Sequence, residues 1–185
     1  DLSSSAQQFD PKQCPTLPVT LKHINLTNCL RITDSTIHKF LHPCLRLVTL
    51  RLDGVSQLTD ETLIRLTSHL SCLEHVFLCR LYKITDRGIM SIFSSKHASK
   101  RLKTLHVEDC GNLTDASVRR LVERDTISGV KSVSSFTKMQ DLNFGGLPHL
   151  TGLSAVNIST SCVNLTSLNL SSSNIDSRGF GALGM

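Results

Sequence analysis

The stretch Leu21-Lys22-His23-Ile24-Asn25-Leu26-Thr27-Asn28-Cys29-Leu30-Arg31-Ile32-Thr33-Asp34 decides the fold. Ile24 and Leu26 alternate around Asn25, the period of a short strand with one face turned inward. Thr33-Asp34 then opens a helix, because their side-chain oxygens can accept the free N–H groups of its first turn. Beyond them the apolar spacing becomes helical, at Ile37, Phe40 and Leu41.

The same stretch recurs. Anchors of the form L-x-x-L-x-L fall at Leu21-Ile24-Leu26, Leu47-Leu50-Leu52, Leu73-Val76-Leu78, Leu102-Leu105-Val107, Met139-Leu142-Phe144 and Leu165-Leu168-Leu170. Their first positions lie 26, 26, 29, 37 and 26 residues apart. Ile32-Thr33-Asp34 returns as Leu58-Thr59-Asp60, Ile84-Thr85-Asp86, Leu113-Thr114-Asp115 and Leu150-Thr151-Gly152, while the sixth copy keeps only Ile175-Asp176. Each unit is a strand and a helix with an apolar edge that it cannot bury alone. Stacking six units buries a continuous ladder, which predicts an α/β solenoid, a horseshoe with a concave parallel sheet and convex helices.

Composition agrees. The 185 residues hold 39% hydrophobic and 19% charged residues, a balance that excludes a disordered or membrane-embedded chain. No apolar run approaches the roughly 20 residues that a spanning helix needs, and no signal peptide is read in these residues. The start at Asp1 and the end on Gly184-Met185 suggest a piece of a longer chain. Residues 1–13 read as a flanking segment and 14–185 as the repeat domain.

The repeats resemble the cysteine-containing leucine-rich repeats, whose pattern is C-x-x-L-x-x-L-x-L-x-x-C-x-x-I-T-D-x-x-I-x-x-L. The first repeat follows it through Leu21, Ile24, Leu26, Cys29, Ile32, Thr33, Asp34, Ile37 and Phe40, with Cys44 after it. On the same comparison Cys72 and Cys162 take the helix-end place of Cys44, and Cys14 precedes the first repeat. Val55, Leu81, Leu147 and Ser173 depart from the mid-repeat cysteine, and no F-box precedes Cys14. The resemblance implies the substrate-recognition half of an F-box protein in an SCF-type cullin-RING ubiquitin ligase. It implies a ubiquitination substrate as partner and a cullin adaptor bound outside these residues. The alternative is a non-catalytic scaffold or assembly factor unrelated to ubiquitin.

Seven cysteines, an odd number with no C-x-x-C, argue against a disulfide framework or a structural zinc site. Six fall at or near positions that the fold buries, and Cys79 stands at a strand position expected to face solvent. There it is either a reactive thiol or a tolerated small residue. Buried free thiols point to the cytoplasm or nucleus. Asn25, Asn112, Asn157, Asn164 and Asn169 begin Asn-x-Ser/Thr triplets, which the repeat consensus itself generates. They are therefore read as incidental. His38 and His42, four apart with Cys44 nearby, lack a placed third ligand, so no metal is assigned. No paired carboxylates, phosphate loop or nucleophile elbow occurs, so no catalytic residue, cofactor or enzymatic activity is expected.

Binding is expected on the concave sheet. Its central column reads Asn25, Arg51, Phe77, His106, Asn143 and Asn169, flanked by His23, Asp53, His75, Arg80, Lys103, Glu108, Asp109 and Asp141. The expected partner-binding set is Asn25, Arg51, Asp53, His75, Phe77, Arg80, Lys103, His106 and Glu108, with Phe77 as an exposed aromatic anchor. Two irregularities break the period: the basic run Ser94–Arg101, read as a solvated helix end in preference to a nucleic-acid contact, and eleven extra residues within Arg124–Lys138. The second is either a functional loop or a plain excursion.

Overall fold

The computed structural model describes residues 18–119, 121, 136–182 and 184. Cys14, the expected domain start and most of the Arg124–Lys138 excursion lie outside them. Six three-residue strands appear: β1 His23–Asn25, β2 Thr49–Arg51, β3 His75–Phe77, β4 Thr104–His106, β5 Asp141–Asn143 and β6 Ser167–Asn169. They form one parallel sheet in chain order. The register places Ile24, Leu50, Val76, Leu105, Leu142 and Leu168 side by side. The longer spacing before Met139 leaves it undisturbed, since β4 and β5 pair like the others.

The helices are α1 Asp34–Leu41, α2 Asp60–His69, α3 Asp86–Ser94, α4 Lys96–Arg101, α5 Asp115–Arg119, α6 Gly152–Ser161 and α7 Ser177–Ala182. The basic run is not a helix end: it forms the separate short helix α4, on which Ser95 Oγ accepts the Ala98 N–H at 3.4 Å. The core is the ladder. Leu47, Leu50, Leu52, Leu105 and Leu142 are at most 1% exposed, whereas Leu21, Ile24 and Leu26 at one end and Leu165, Leu168 and Leu170 at the other are half-buried.

Thr-Asp behaves differently from the expected local cap. Thr59, Thr85, Thr114 and Thr151 do accept the N–H two residues on, at 3.2–3.3 Å. The aspartates reach forward instead. Asp34 accepts Thr59 N–H at 2.9 Å, Thr59 Oγ1 at 2.8 Å and Thr62 Oγ1 at 2.5 Å. Asp60 holds Thr85, Asp86 holds Thr114, and Asp115 holds Thr151 and Ser154 in the same way. A carboxylate one position inside the helix points across to the next unit, where two or three donors converge on it.

A second repeated feature escapes the sequence reading. Two residues past each third anchor the backbone turns left-handed, at Asn28, Gly54, Arg80, Asp109, Gly146 and Ser172, with φ between 55° and 69°. A non-glycine residue there costs roughly 1–2 kcal/mol. Each of the first five donates its N–H to the neighbouring repeat at 2.8–3.0 Å, which offsets that cost. At Gly54 the Asn28 side chain fills the space of a Cβ, whose place lies 2.2 Å from Asn28 Oδ1.

Cysteine placement also shifts. Cys44, Cys110 and Cys162 are buried, but Cys29, Cys72 and Cys79 are half-buried. The carbonyls of Cys44 and Cys162 accept the N–H of the first anchor three residues on, Leu47 and Leu165. Cys72 directly precedes its anchor Leu73, so the position of Cys44 in that repeat belongs to Leu70, 3% exposed. Phe136 holds the same place before Met139 and meets Phe93 edge-on at 5.2 Å.

Candidate partner-binding face

The register sets Asn25, Arg51, Phe77, His106, Asn143 and Asn169 in one row across the sheet. Side chains in such a row are one strand spacing apart, about 4.8 Å, and interact directly. The Arg51 guanidinium lies 3.8 Å from the centroid of the Phe77 ring, and His106 meets the ring's other neighbour position edge-on at 4.9 Å. Phe77 is therefore on the concave face but half-buried, not the freely exposed aromatic expected. Its neighbours in the row cover it, and a cation over an aromatic face contributes about 0.5–1 kcal/mol at such a site.

Around this stack a recess of about 440 Å³ is lined by Thr27, Arg51, Asp53, Phe77, Cys79, Arg80, His106, Glu108 and Asp109. Six of the nine expected residues meet there: Arg51, Asp53, Phe77, Arg80, His106 and Glu108. Asp53 is only 6% exposed, so its carboxylate serves the scaffold: it accepts the Cys79 N–H at 2.9 Å and an Arg51 N–H at 3.2 Å. Asn25, His75 and Lys103 do not line the recess. Asn25 Oδ1 closes its own turn on Thr27, and His75 Nδ1 pairs with Thr104 Oγ1 at 3.0 Å. Lys103 bonds Glu74 at 2.7 Å, with Arg101 at 3.6 Å on the same carboxylate. That bond to Lys103 outweighs burial and holds the Glu74 carboxyl below its ordinary range.

Thr27, Cys79 and Asp109 are the lining residues that the sequence set lacks. Asp109 was read among the residues flanking the concave column but not in the partner-binding set, whereas Thr27 stands where the strand runs on into its turn, and the three-residue strand pattern gives no sign of it. Cys79, expected to face solvent, is half-buried against Asp53. Burial first, then the Asp53 charge, pushes its thiol up to about 12, so it stays protonated and unreactive at neutral pH. Burial likewise raises Cys110 to about 11 and Cys162 to about 12.

The face changes beyond repeat four. Asn169 Nδ2 donates to Asn143 Oδ1 at 3.0 Å, and Asn143 Nδ2 to Glu108 Oε2 at 3.3 Å, so the amides satisfy one another. His106 Nε2 bonds Asp141 Oδ2 at 2.8 Å.

On the convex side, His42 packs at a tilt against His69 at 4.4 Å and meets His38 edge-on at 5.8 Å. Burial, then Arg65 and the two other histidines, hold His38 below its ordinary pKa. Cys44 turns inward, donating to the Phe40 carbonyl at 3.6 Å. Among the described residues no group of three or more His, Cys, Asp or Glu is placed to hold a metal, and no helix is long and apolar enough to cross a membrane.

A family model described as Leucine Rich repeat matches residues 161–184. One chain of a crystal structure of the Rad7 and Elc1 complex in yeast aligns with TM-score 0.63 and 24% identity, over 83% of this chain and 37% of that one. This chain thus spans well under half the length of that relative. At that identity the likeness speaks to the fold alone. Six strand-and-helix units on one open parallel sheet, together with these matches, define it: the protein is an α/β leucine-rich-repeat solenoid.

Proposed function

We propose that this solenoid is a protein-interaction module that captures its partner on the concave face over repeats two to four, and that it recognises substrate for an SCF-type ubiquitin ligase. The observation that carries the capture is the Arg51–Phe77–His106 stack at the floor of a polar recess. An aromatic held upright by its neighbours offers contact area at little further ordering cost. The ligase role is supported by the resemblance to the repeats of F-box substrate receptors. The yeast relative is itself named in complex with a second protein, as a receptor that joins an adaptor would be. Residues 14–185 form the repeat domain in this reading. The described cysteines are all free, which suits a reducing cytoplasm or nucleus.

The test is affinity capture from lysate with the protein and its Phe77→Ala/Arg51→Ala variant, quantified by mass spectrometry. Loss of a defined partner set from a variant that still melts cooperatively supports the concave reading, and an unchanged set overturns it. A cullin adaptor co-purifying with the full-length protein separates the ligase role from that of a scaffold unrelated to ubiquitin.

A further inference from the structure

The recess carries charges that its own walls do not cancel. Arg51 is tied to Asp53, but the described residues show no ion pair joining Arg80 to Glu108 or Asp109. The Arg80 guanidinium reaches back toward repeat two, where a Cβ on Gly54 would stand 3.9 Å from its Nη2. On repeat four Glu108 receives a hydrogen bond from the neutral amide of Asn143. Asp109 is exposed, its Oδ1 lying over Gly146, where a Cβ would meet it at 2.0 Å. The arginines of the lining thus stand on repeats two and three and the carboxylates free of an arginine on repeat four, with Phe77 in the same recess.

The balance decides what fits. Three carboxylates, Asp53, Glu108 and Asp109, stand against two arginines in the lining, so a polyanion such as nucleic acid meets net repulsion although the whole chain is +5. Resting on the concave capture proposed above, we propose that the ligand is an extended peptide segment of a protein partner with one basic and one acidic side chain in fixed order. The basic group sits between Glu108 and Asp109, and the acidic group on Arg80. Adjacent repeats are about 4.8 Å apart, and alternate side chains of an extended peptide about 6.7 Å. Charges two residues apart, on one face of a segment crossing the strands, therefore reach both charged groups at once. Charge order of this kind fixes the direction of the segment and rejects like-charged competitors.

The probe is a displayed random dodecapeptide library selected on the intact 185-residue chain, with binders remeasured as labelled peptides by fluorescence anisotropy. Enriched sequences should share a basic and an acidic residue two apart, in one order. Glu108→Gln/Asp109→Asn should weaken them about tenfold and relieve the demand for the basic residue. Arg80→Asn, which tolerates the left-handed backbone, should relieve the demand for the acidic one. Both variants are checked first for an unchanged melting transition.

Enriched peptides without the charged pair, binding of poly-glutamate at the recess, or no recess-dependent peptide at all each overturn the proposal. Peptides lost with Phe77→Ala/Arg51→Ala but indifferent to the three charge substitutions sink the charge order and leave concave capture standing. Peptides indifferent to every one of these variants sink both.

Discussion

Between α2 and α3 the contact runs through a carboxylate: Asp60 takes the Thr85 N–H at 2.8 Å and its hydroxyl at 2.6 Å. Between α6 and α7 the corresponding place is Gly152, and Gly179 stands so near it that a Cβ on Gly179 would lie 2.6 Å from the Gly152 Cα. The interior repeats are joined by side-chain hydrogen bonds and a fully buried leucine ladder. The last repeat is joined by backbone closeness over a half-buried ladder. One architecture thus tolerates two kinds of joint, because the sheet register sets the stacking distance and the helix starts need only fill it. The charged joint demands room, and it has it: the residue three past each capping threonine is Thr62, Gly88, Ser117 or Ser154, all small and buried.

The largest test of this contrast lies in the ladder. Leu105→Ala, at a fully buried interior anchor, should cost about 2–5 kcal/mol in urea unfolding. Leu168→Ala, its half-buried counterpart in the last repeat, should cost less than half as much. Equal costs would mean that the ladder of the last repeat is packed as tightly as the interior one.

Next comes the carboxylate joint. Asp34→Ala strands the Thr59 N–H, the Thr59 hydroxyl and the hydroxyl of Thr62, which is 2% exposed. The expected loss is about 2–3 kcal/mol, since hydrogen bonds to a charge are the strong ones and orphaned donors cost more than the bond gained. Among the described residues the Asp176 carboxylate in the last repeat accepts only a local bond, the Gly179 N–H at 3.0 Å, and is exposed. Asp176→Ala should therefore cost about 1 kcal/mol, as an ordinary helix cap does. Thermal melts of the two variants side by side decide whether the forward reach of Asp34 carries stability.

How much of this was legible in the sequence follows from distance along the chain. Strand positions, helix starts and the concave row were readable, because alternation and the Leu-x-x-Leu-x-Leu anchors act within a few residues. The direction of Asp34 was not, because its partners lie 25 and 28 residues away, and Thr-Asp before a helix looks the same whichever way the carboxylate turns. The row containing Phe77 was legible, but its partial covering by Arg51 was not, since that depends on the guanidinium folding over the ring. Arg80 and Asp109 concealed the left-handed column, which Gly54 and Gly146 alone would have suggested. Cys72 was misplaced for a simpler reason: Leu70 fills the buried position without being a cysteine.

A smaller effect is expected from forcing one joint to imitate the other. Gly152→Asp restores the Thr-Asp pair of the interior repeats. Its Cβ would lie 2.6 Å from Asp176 Oδ1 and 3.2 Å from Gly179, with a second negative charge brought against Asp176. Overpacking of this kind costs about 1–3 kcal/mol. A variant that melts at or above the parent temperature would show that the glycine contact is not what closes the last repeat.

The smallest effect is the pH response of the interior joint. Burial alone would raise the Asp34 carboxyl, but hydrogen bonds from Thr59 and Thr62 outweigh it and hold the group below its ordinary value. Asp115 behaves alike, with Ser154 and Thr151 outweighing burial. A carboxyl depressed in the folded state binds its proton more weakly there than in the unfolded chain. Its stabilisation is therefore fully present above the unfolded value of about 3.9 and fades as pH falls through the folded value. Urea midpoints measured from pH 5 downward should drop for the parent, and drop less steeply for Asp34→Asn/Asp115→Asn, which starts lower but has two fewer carboxylates to titrate. Neutral asparagine keeps a carbonyl acceptor at each joint where alanine keeps none, so this variant isolates the loss of the titrating charge. Parallel slopes for parent and variant would assign the acid sensitivity to other carboxylates and remove the Asp34 and Asp115 joints from the pH dependence.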